Sequence, residues 1–225
     1  MDYQKMLLEN YVPADQVDTV LANTAAMIAA ARIGRMAVIY VTVAFRPGHP
    51  EVSARNRLFM LLKQNGLFAR GDVDTSIHPA LAPAEDEPVV IKHRVGAFTG
   101  TDLEILLRAS GIETLVLAGI TTAGVVLSTV RQAFDMDYRA LVAGDCCADP
   151  NPDVHQMLLD KVIAQHAEVV SARRIIDALS VGCGPAGEGP IRVALPIRCS
   201  PFPENFPNAP CIPAIPGQQR ITSHI

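Results

Sequence analysis

Apolar positions along the chain switch repeatedly between helical and extended spacing. In DQVDTVLANTAAMIAAARI, residues 15–33, Val17, Val20, Leu21, Met27 and Ile28 recur at the interval of an amphipathic helix. After Gly34 the pattern becomes MAVIYVTVAF, a nearly unbroken run of the kind found in strands buried on both faces of a parallel sheet. The loop RPGHP ends it. Residues 53–64 predict a helix, and 69–87 read as a polar, proline-containing excursion before a second strand, PVVIK. TGTDLEILLRASGI returns to helical spacing, with Thr101 and Glu104 as a capping signature and Gly111 as a stop.

The alternation continues through strand TLVLAG, a helix over 123–136, strand RALVAG, helix PDVHQMLLDKVIAQ, a short strand EVVS and helix ARRIIDALS. Strands that alternate with helices in this way form right-handed βαβ crossovers. The expected fold is α/β, a three-layer α/β/α sandwich around a mainly parallel, Rossmann-like sheet, over residues 1–180. Past Gly182 neither period persists, and nine of the chain's 17 prolines fall there. Proline at this density interrupts helix and ladder alike, so residues 181–225 are expected to be an extended or disordered tail, with a proline-motif docking peptide as the functional alternative.

Composition narrows the function classes. A chain of 225 residues, 49% of them hydrophobic, can bury one sizeable core. Its net charge of −4, without a basic run, offers no footprint for nucleic acid or an anionic membrane. The partner left by this elimination is a small neutral or anionic molecule. No apolar stretch approaches the roughly 20 residues of a membrane span, and MDYQKMLLENY lacks a charged-then-apolar leader, so the expected location is cytoplasmic. The five cysteines, at 146, 147, 183, 199 and 211, form no CxxC pair and have no histidine at zinc-ligand spacing. Cys146 and Cys147 are expected to be packing residues.

Ligands of doubly wound sheets sit beyond the carboxyl ends of the strands. That rule selects Lys92, Gly119 to Val125, Phe45 to His49, and Asp145 to Pro150. A lysine at a strand end is usually solvated, but Lys92 is followed by glycine and threonine rather than by more charge.

Three segments together resemble the isochorismatase-like hydrolases, the superfamily that also holds nicotinamidases and N-carbamoylsarcosine amidohydrolases. They are DYQ at 2–4, VVIKHRVGAFTGTDLEILLRASGIETLVLAGITT, and GITTAGVVLSTVRQAFDMDY with the later GDCCADPNPDVH. The resemblance covers most of residues 1–180. It implies a catalytic Asp at Asp2, a catalytic Lys at Lys92, and a nucleophilic Cys at the position held here by Val125. A carboxylate in such a triad takes the thiol proton, and the thiolate attacks an amide or similar carbon. The resemblance further implies a cis peptide at Ile120–Thr121 and an oxyanion hole made by the N–H groups of Thr121 and Val125. It implies no metal and no cofactor, a small-molecule substrate, and a homo-oligomer.

Two departures bear on the chemistry. Valine at 125 cannot form a thioester, and Ser128 lies roughly 4.5 Å further along the helix, too far to substitute. Thr121 and Thr122 are closer, but Thr122 suits a bond within the turn. True isochorismatases also lack the cysteine, carrying glycine, and cleave a vinyl ether with the Asp as general acid. Asp2 and Lys92 could therefore act without a thiol if burial keeps Asp2 protonated. The second departure is that only Met1 precedes Asp2, where the family has an apolar central strand. The neighbouring strands are then expected to lose ladder partners, and Asp2 to sit on a frayed terminus.

Around these residues, Phe45, Phe98 and Ile120 are expected as an apolar wall beside Thr122. Arg46 is expected either to clamp a substrate carboxylate or to form a structural salt bridge. His49 and His78 lack the carboxylate pattern of a metal site. Two functions follow: acid-assisted hydrolysis of a small metabolite by Asp2 and Lys92, or a catalytically inactive module of the same fold that binds a ligand or self-associates.

Overall fold

Parallel pairing organises the chain. In the computed structural model, which describes residues 1–181, helices α1 (Lys5–Tyr11) and α2 (Val17–Ile33) precede strand β1 (Tyr40–Val43). Then follow α3 (Arg57–Gln64), β2 (Val89–Lys92), α4 (Leu103–Ala109), β3 (Thr114–Leu117), α5 (Leu127–Asp135), β4 (Arg139–Ala143), α6 (Pro152–Met157), β5 (Glu168–Val170) and α7 (Ala172–Val181). Residues 182–225, which hold the expected proline-rich tail, lie outside the described residues. The fold is a three-layer α/β/α arrangement, as the alternation predicts. Helices α2 and α7 pack on one another, while Leu103 and Leu107 of α4 and Val130 and Ala133 of α5 enter the main core with β3 and β4. Among the described residues no helix is long and apolar enough to cross a membrane.

The sheet is in two parts. β1 pairs in parallel with β2, Val43 opposite Lys92, and β3, β4 and β5 form a separate parallel group. Between the two lies the dipeptide Met1–Asp2. The Met1 amine donates to Ala118 O at 2.8 Å, and Ile120 N–H donates to Met1 O at 3.2 Å, the pattern of a single parallel bridge. On the other side Asp2 N–H donates to Val41 O at 2.8 Å. Gln4 completes the join with its side chain. Its amide donates to Val43 O and accepts from Val43 N–H, both at 2.9 Å, as a peptide group would. The expected frayed terminus is thus corrected, because Asp2 is only 4% exposed and held from both directions.

Several element boundaries differ from the sequence pattern. The run over 36–45 is a strand only at Tyr40–Val43, because the partner strand β2 is four residues long. Phe45 instead pairs with the loop at Ala69. The short helix α1 escapes the pattern: Gln4 at its N-cap makes no capping bond, since its amide is committed to Val43. The capping signature at Thr101 is displaced by one residue. Asp102 occupies the N-cap, and Thr101 Oγ1 donates to Ala97 O at 2.6 Å. Gly111 is the expected stop, at φ +63°, a conformation that costs glycine little.

Candidate functional site

Asp2 and Lys92 meet at the carboxyl ends of the strands. Lys92, the last residue of β2, is 3% exposed, and its Nζ lies 2.8 Å from Asp2 Oδ2. Nζ also donates to Arg94 O at 3.1 Å. Asp2 Oδ1 is buried and has no hydrogen-bond partner. Burial pushes the Asp2 carboxyl above its ordinary range, opposed by the Lys92 ammonium and its hydrogen bond. The pair therefore presents an acid that holds its proton more tightly than a surface aspartate and has one oxygen free to use it.

The turn after β3 is built on the other side of Met1. Gly119 permits the close approach: a Cβ there would lie 2.7 Å from Met1 O, 3.0 Å from Met1 Cβ and 3.3 Å from Val125 Cγ1. Gly119→Ala is accordingly expected to displace the Met1–Asp2 dipeptide and to lower stability by about 1–3 kcal/mol, as overpacking does. Urea unfolding measures this, and an unchanged midpoint would mean that the dipeptide is not seated against Gly119.

Ile120–Thr121 is a cis peptide, as the resemblance implies. Residues Thr122–Val126 form one π-helical turn that leads into α5, and four of the turn's amides are committed. Thr122 N–H donates to Ala148 O, Ala123 N–H to Asp149 Oδ2, Gly124 N–H to Thr121, and Val126 N–H to Thr121 O. The Thr121 and Val125 N–H groups, the two expected oxyanion donors, are not engaged in these bonds. Val125 itself is 2% exposed, and its side chain belongs to the main core.

Two residues that the sequence placed at the strand ends or in a family-like segment, without a role of their own, hold this turn. Asp149, 7% exposed, caps it at Ala123 at 2.8 Å, and His155 Nδ1 lies 2.7 Å from Thr122 Oγ1. Burial lowers the His155 pKa, with Asp149 opposing. Thr122 is fully buried, but its Oγ1 reaches Ala148 O at 3.2 Å and His155 rather than bonding the turn as expected, and the side chain that does bond the turn is Thr121, whose Oγ1 accepts from Gly124 N–H at 3.1 Å. Asp149 sits three residues before α6 begins and 26 from its partner Ala123, so no local spacing announces the contact.

The other expected wall residues are packed rather than displayed. Phe45 is fully buried, with its ring on His49 and Phe59. Phe98 stacks on Tyr138 at 6.0 Å, and Ile120 is 1% exposed. Arg46 forms a salt bridge with Glu51, Nη1 to Oε1 at 2.6 Å, which is the structural alternative weighed for it. His49 is used locally, its Nε2 within 2.7 Å of Leu67 O, while His78 Nδ1 accepts from Ala80 N–H. Cys146 and Cys147 are buried free thiols, and burial pushes them up to about 12 and about 11.

This arrangement has known relatives. The isochorismatase domain profile matches residues 1–174. The chain belongs to the isochorismatase family. An uncharacterised isochorismatase family protein, YecD, of Escherichia coli O157:H7 is 39% identical over 103 residues, which span 45% of this chain and 55% of that protein. The chain thus aligns with little more than half the length of that relative. The maleamate amidohydrolase of Pseudomonas putida is 26% identical over 170 residues, 75% of this chain and 78% of that one. Among solved structures, a cysteine hydrolase from Pseudomonas syringae pv. phaseolicola superposes with a TM-score of 0.73 at 25% identity, covering 80% of this chain and 90% of its own. In this isochorismatase-family chain the paired Asp and Lys are present and buried, and the position that the resemblance assigns to a thiol is valine.

Proposed function

We propose that the chain is a hydrolase of a small metabolite in which Asp2 is the acid–base group, Lys92 its partner, and no side chain acts as nucleophile. The observation that carries this reading is the buried Asp2–Lys92 pair with Asp2 Oδ1 unpartnered. A carboxyl raised by burial is suited to deliver a proton. With a vinyl ether, Asp2 protonates the terminal carbon, water adds to the resulting oxocarbenium carbon, and the hemiketal collapses to a ketone and an alcohol. With a carboxamide, water adds to the carbonyl carbon and Asp2 passes the proton to the departing nitrogen. The Thr121 and Val125 amides are suited to an oxygen that gains charge in the second case. The relative named a maleamate amidohydrolase supports carboxamides as a substrate class.

A second reading, a catalytically inactive module of the same fold that binds a ligand or self-associates, is supported by Val125, whose side chain fills the core at the thiol position. Turnover separates the two. Purified protein is expected to hydrolyse a carboxamide or a vinyl ether, and Asp2→Asn to lower kcat/KM by about 100-fold or more, the usual contribution of a positioned acid or base. Unchanged turnover in Asp2→Asn would overturn the acid–base role. Absence of turnover in the wild-type chain would favour the inactive module.

A further inference from the structure

Asp145, just past the end of β4, takes no part in the Asp2–Lys92 pair. A half-open cleft of about 260 Å³ lies at this carboxyl end, where ligands of such sheets sit. It is lined by the turn after β4, the start of α2 and His155 of α6, and by none of Asp2, Lys92 and Val125. Val20, Gly144 and Cys147 are buried and make an apolar floor. Burial pushes the Cys147 thiol up to about 11, so the floor carries no charge.

The rim carries charge of one sign. Asp15 and Asp145 are exposed, and among the described residues neither forms a salt bridge and no lysine or arginine lines the cleft. Burial lowers the His155 pKa, so at neutral pH its ring adds no positive charge. Asp145 is held in place. Its Oδ1 accepts from Ala172 N–H at 2.7 Å, and its carbonyl oxygen accepts from Asn23 Nδ2 at 3.2 Å, which leaves Oδ2 for a ligand. A metal ion does not suit this rim, because among the described residues no three His, Cys, Asp or Glu side chains converge as ligands. Uncompensated carboxylates above an apolar floor match a ligand with a cationic head and a hydrocarbon body.

We propose that the cleft at the end of β4 binds a small primary alkylammonium ion, its head between Asp145 and Asp15 and its hydrocarbon chain on Val20 and Cys147. An ammonium has three donors, enough for an oxygen of each aspartate and one further acceptor. The cleft admits a molecule of roughly eight non-hydrogen atoms, at about 30 Å³ for each, the share of a water molecule in the liquid. It also shares a wall with the turn that carries the Thr121 and Val125 N–H groups, since His155 Nδ1 lies 2.7 Å from Thr122 Oγ1.

Pentylamine and pentyl alcohol, alike in chain and different in charge, test this. Calorimetric titration of the full chain at neutral pH is expected to show the amine binding at least tenfold tighter than the alcohol, with an advantage that shrinks in high salt. Asp145→Asn keeps an oxygen for Ala172 N–H while removing the charge, and is expected to weaken the amine at least fivefold and leave the alcohol unchanged. Asp15→Asn repeats the measurement without touching the Ala172 bond, so a folding defect in the first variant does not decide the outcome. Asp2→Asn should bind the amine as the wild type does, which separates this site from the acid–base role of Asp2. No binding of the amine, equal binding of amine and alcohol, or an amine affinity unchanged in both folded rim variants would overturn the site.

Discussion

Replacing Lys92 by methionine is expected to destabilise the fold by about 3–5 kcal/mol at pH 8, the cost of leaving a buried charge without its partner. Methionine retains the apolar stem, so the loss isolates the ammonium. Its pH dependence follows from Asp2. Burial already raises that carboxyl above its unfolded value of about 3.9. A raised carboxyl adds stability that is fully present below the unfolded pKa and is lost as pH rises through the folded pKa. Removing Lys92 raises the folded pKa further, because the opposing cation is gone. The penalty should therefore be largest at alkaline pH and shrink as pH falls and Asp2 takes up a proton, because the neutral acid needs no counter-ion. Urea unfolding across this range measures it. A penalty independent of pH would mean that the lysine contributes through packing alone.

Val125→Cys is expected to produce the largest gain. The turn Thr122–Val126 runs directly into α5, so a thiol at 125 lies among the backbone amides at the start of a helical segment. Such amides lower a thiol pKa, and cysteine is smaller than the valine it replaces, so the core accepts it. Alkylation by iodoacetamide at pH 8, followed residue by residue by peptide mass spectrometry, should be at least tenfold faster at position 125 than at Cys146 or Cys147. Those two are internal controls. With pKa values of about 12 and about 11, roughly one molecule in a thousand or fewer carries either thiolate at that pH. A thiol at 125 as inert as these would show that burial outweighs the amides, and would favour the inactive-module reading.

The two substitutions probe opposite sides of Met1–Asp2, and the same dipeptide explains which parts of the site could be foreseen. Lys92 and the turn from Gly119 to Val125 announce themselves locally, because a buried β-branched run that ends in a charge or a glycine marks the carboxyl end of a parallel strand. Asp2 is legible only through its place in the DYQ segment. Its burial was not legible, because a terminal residue is ordinarily frayed, and here it is held by Val41 and Lys92 from the far side of a divided sheet. Arg46 was visible as a strand-end cation, but its partner Glu51 was not, since five residues of irregular chain give no period from which to infer a contact.

What the sequence by itself determined is the fold class, the alternation of strands and helices from residue 15 onward, and the approximate carboxyl ends of the strands, because these depend on local periodicity and on the burial it imposes. Only the tertiary structure decided which polar groups meet: Gln4 with Val43, Asp149 with Ala123, His155 with Thr122, and Glu51 with Arg46 near His93. These contacts join segments whose approach is fixed by the packing of the layers. A polar side chain carries no period of its own, so its partner is settled only when the sheet has brought the two loops together.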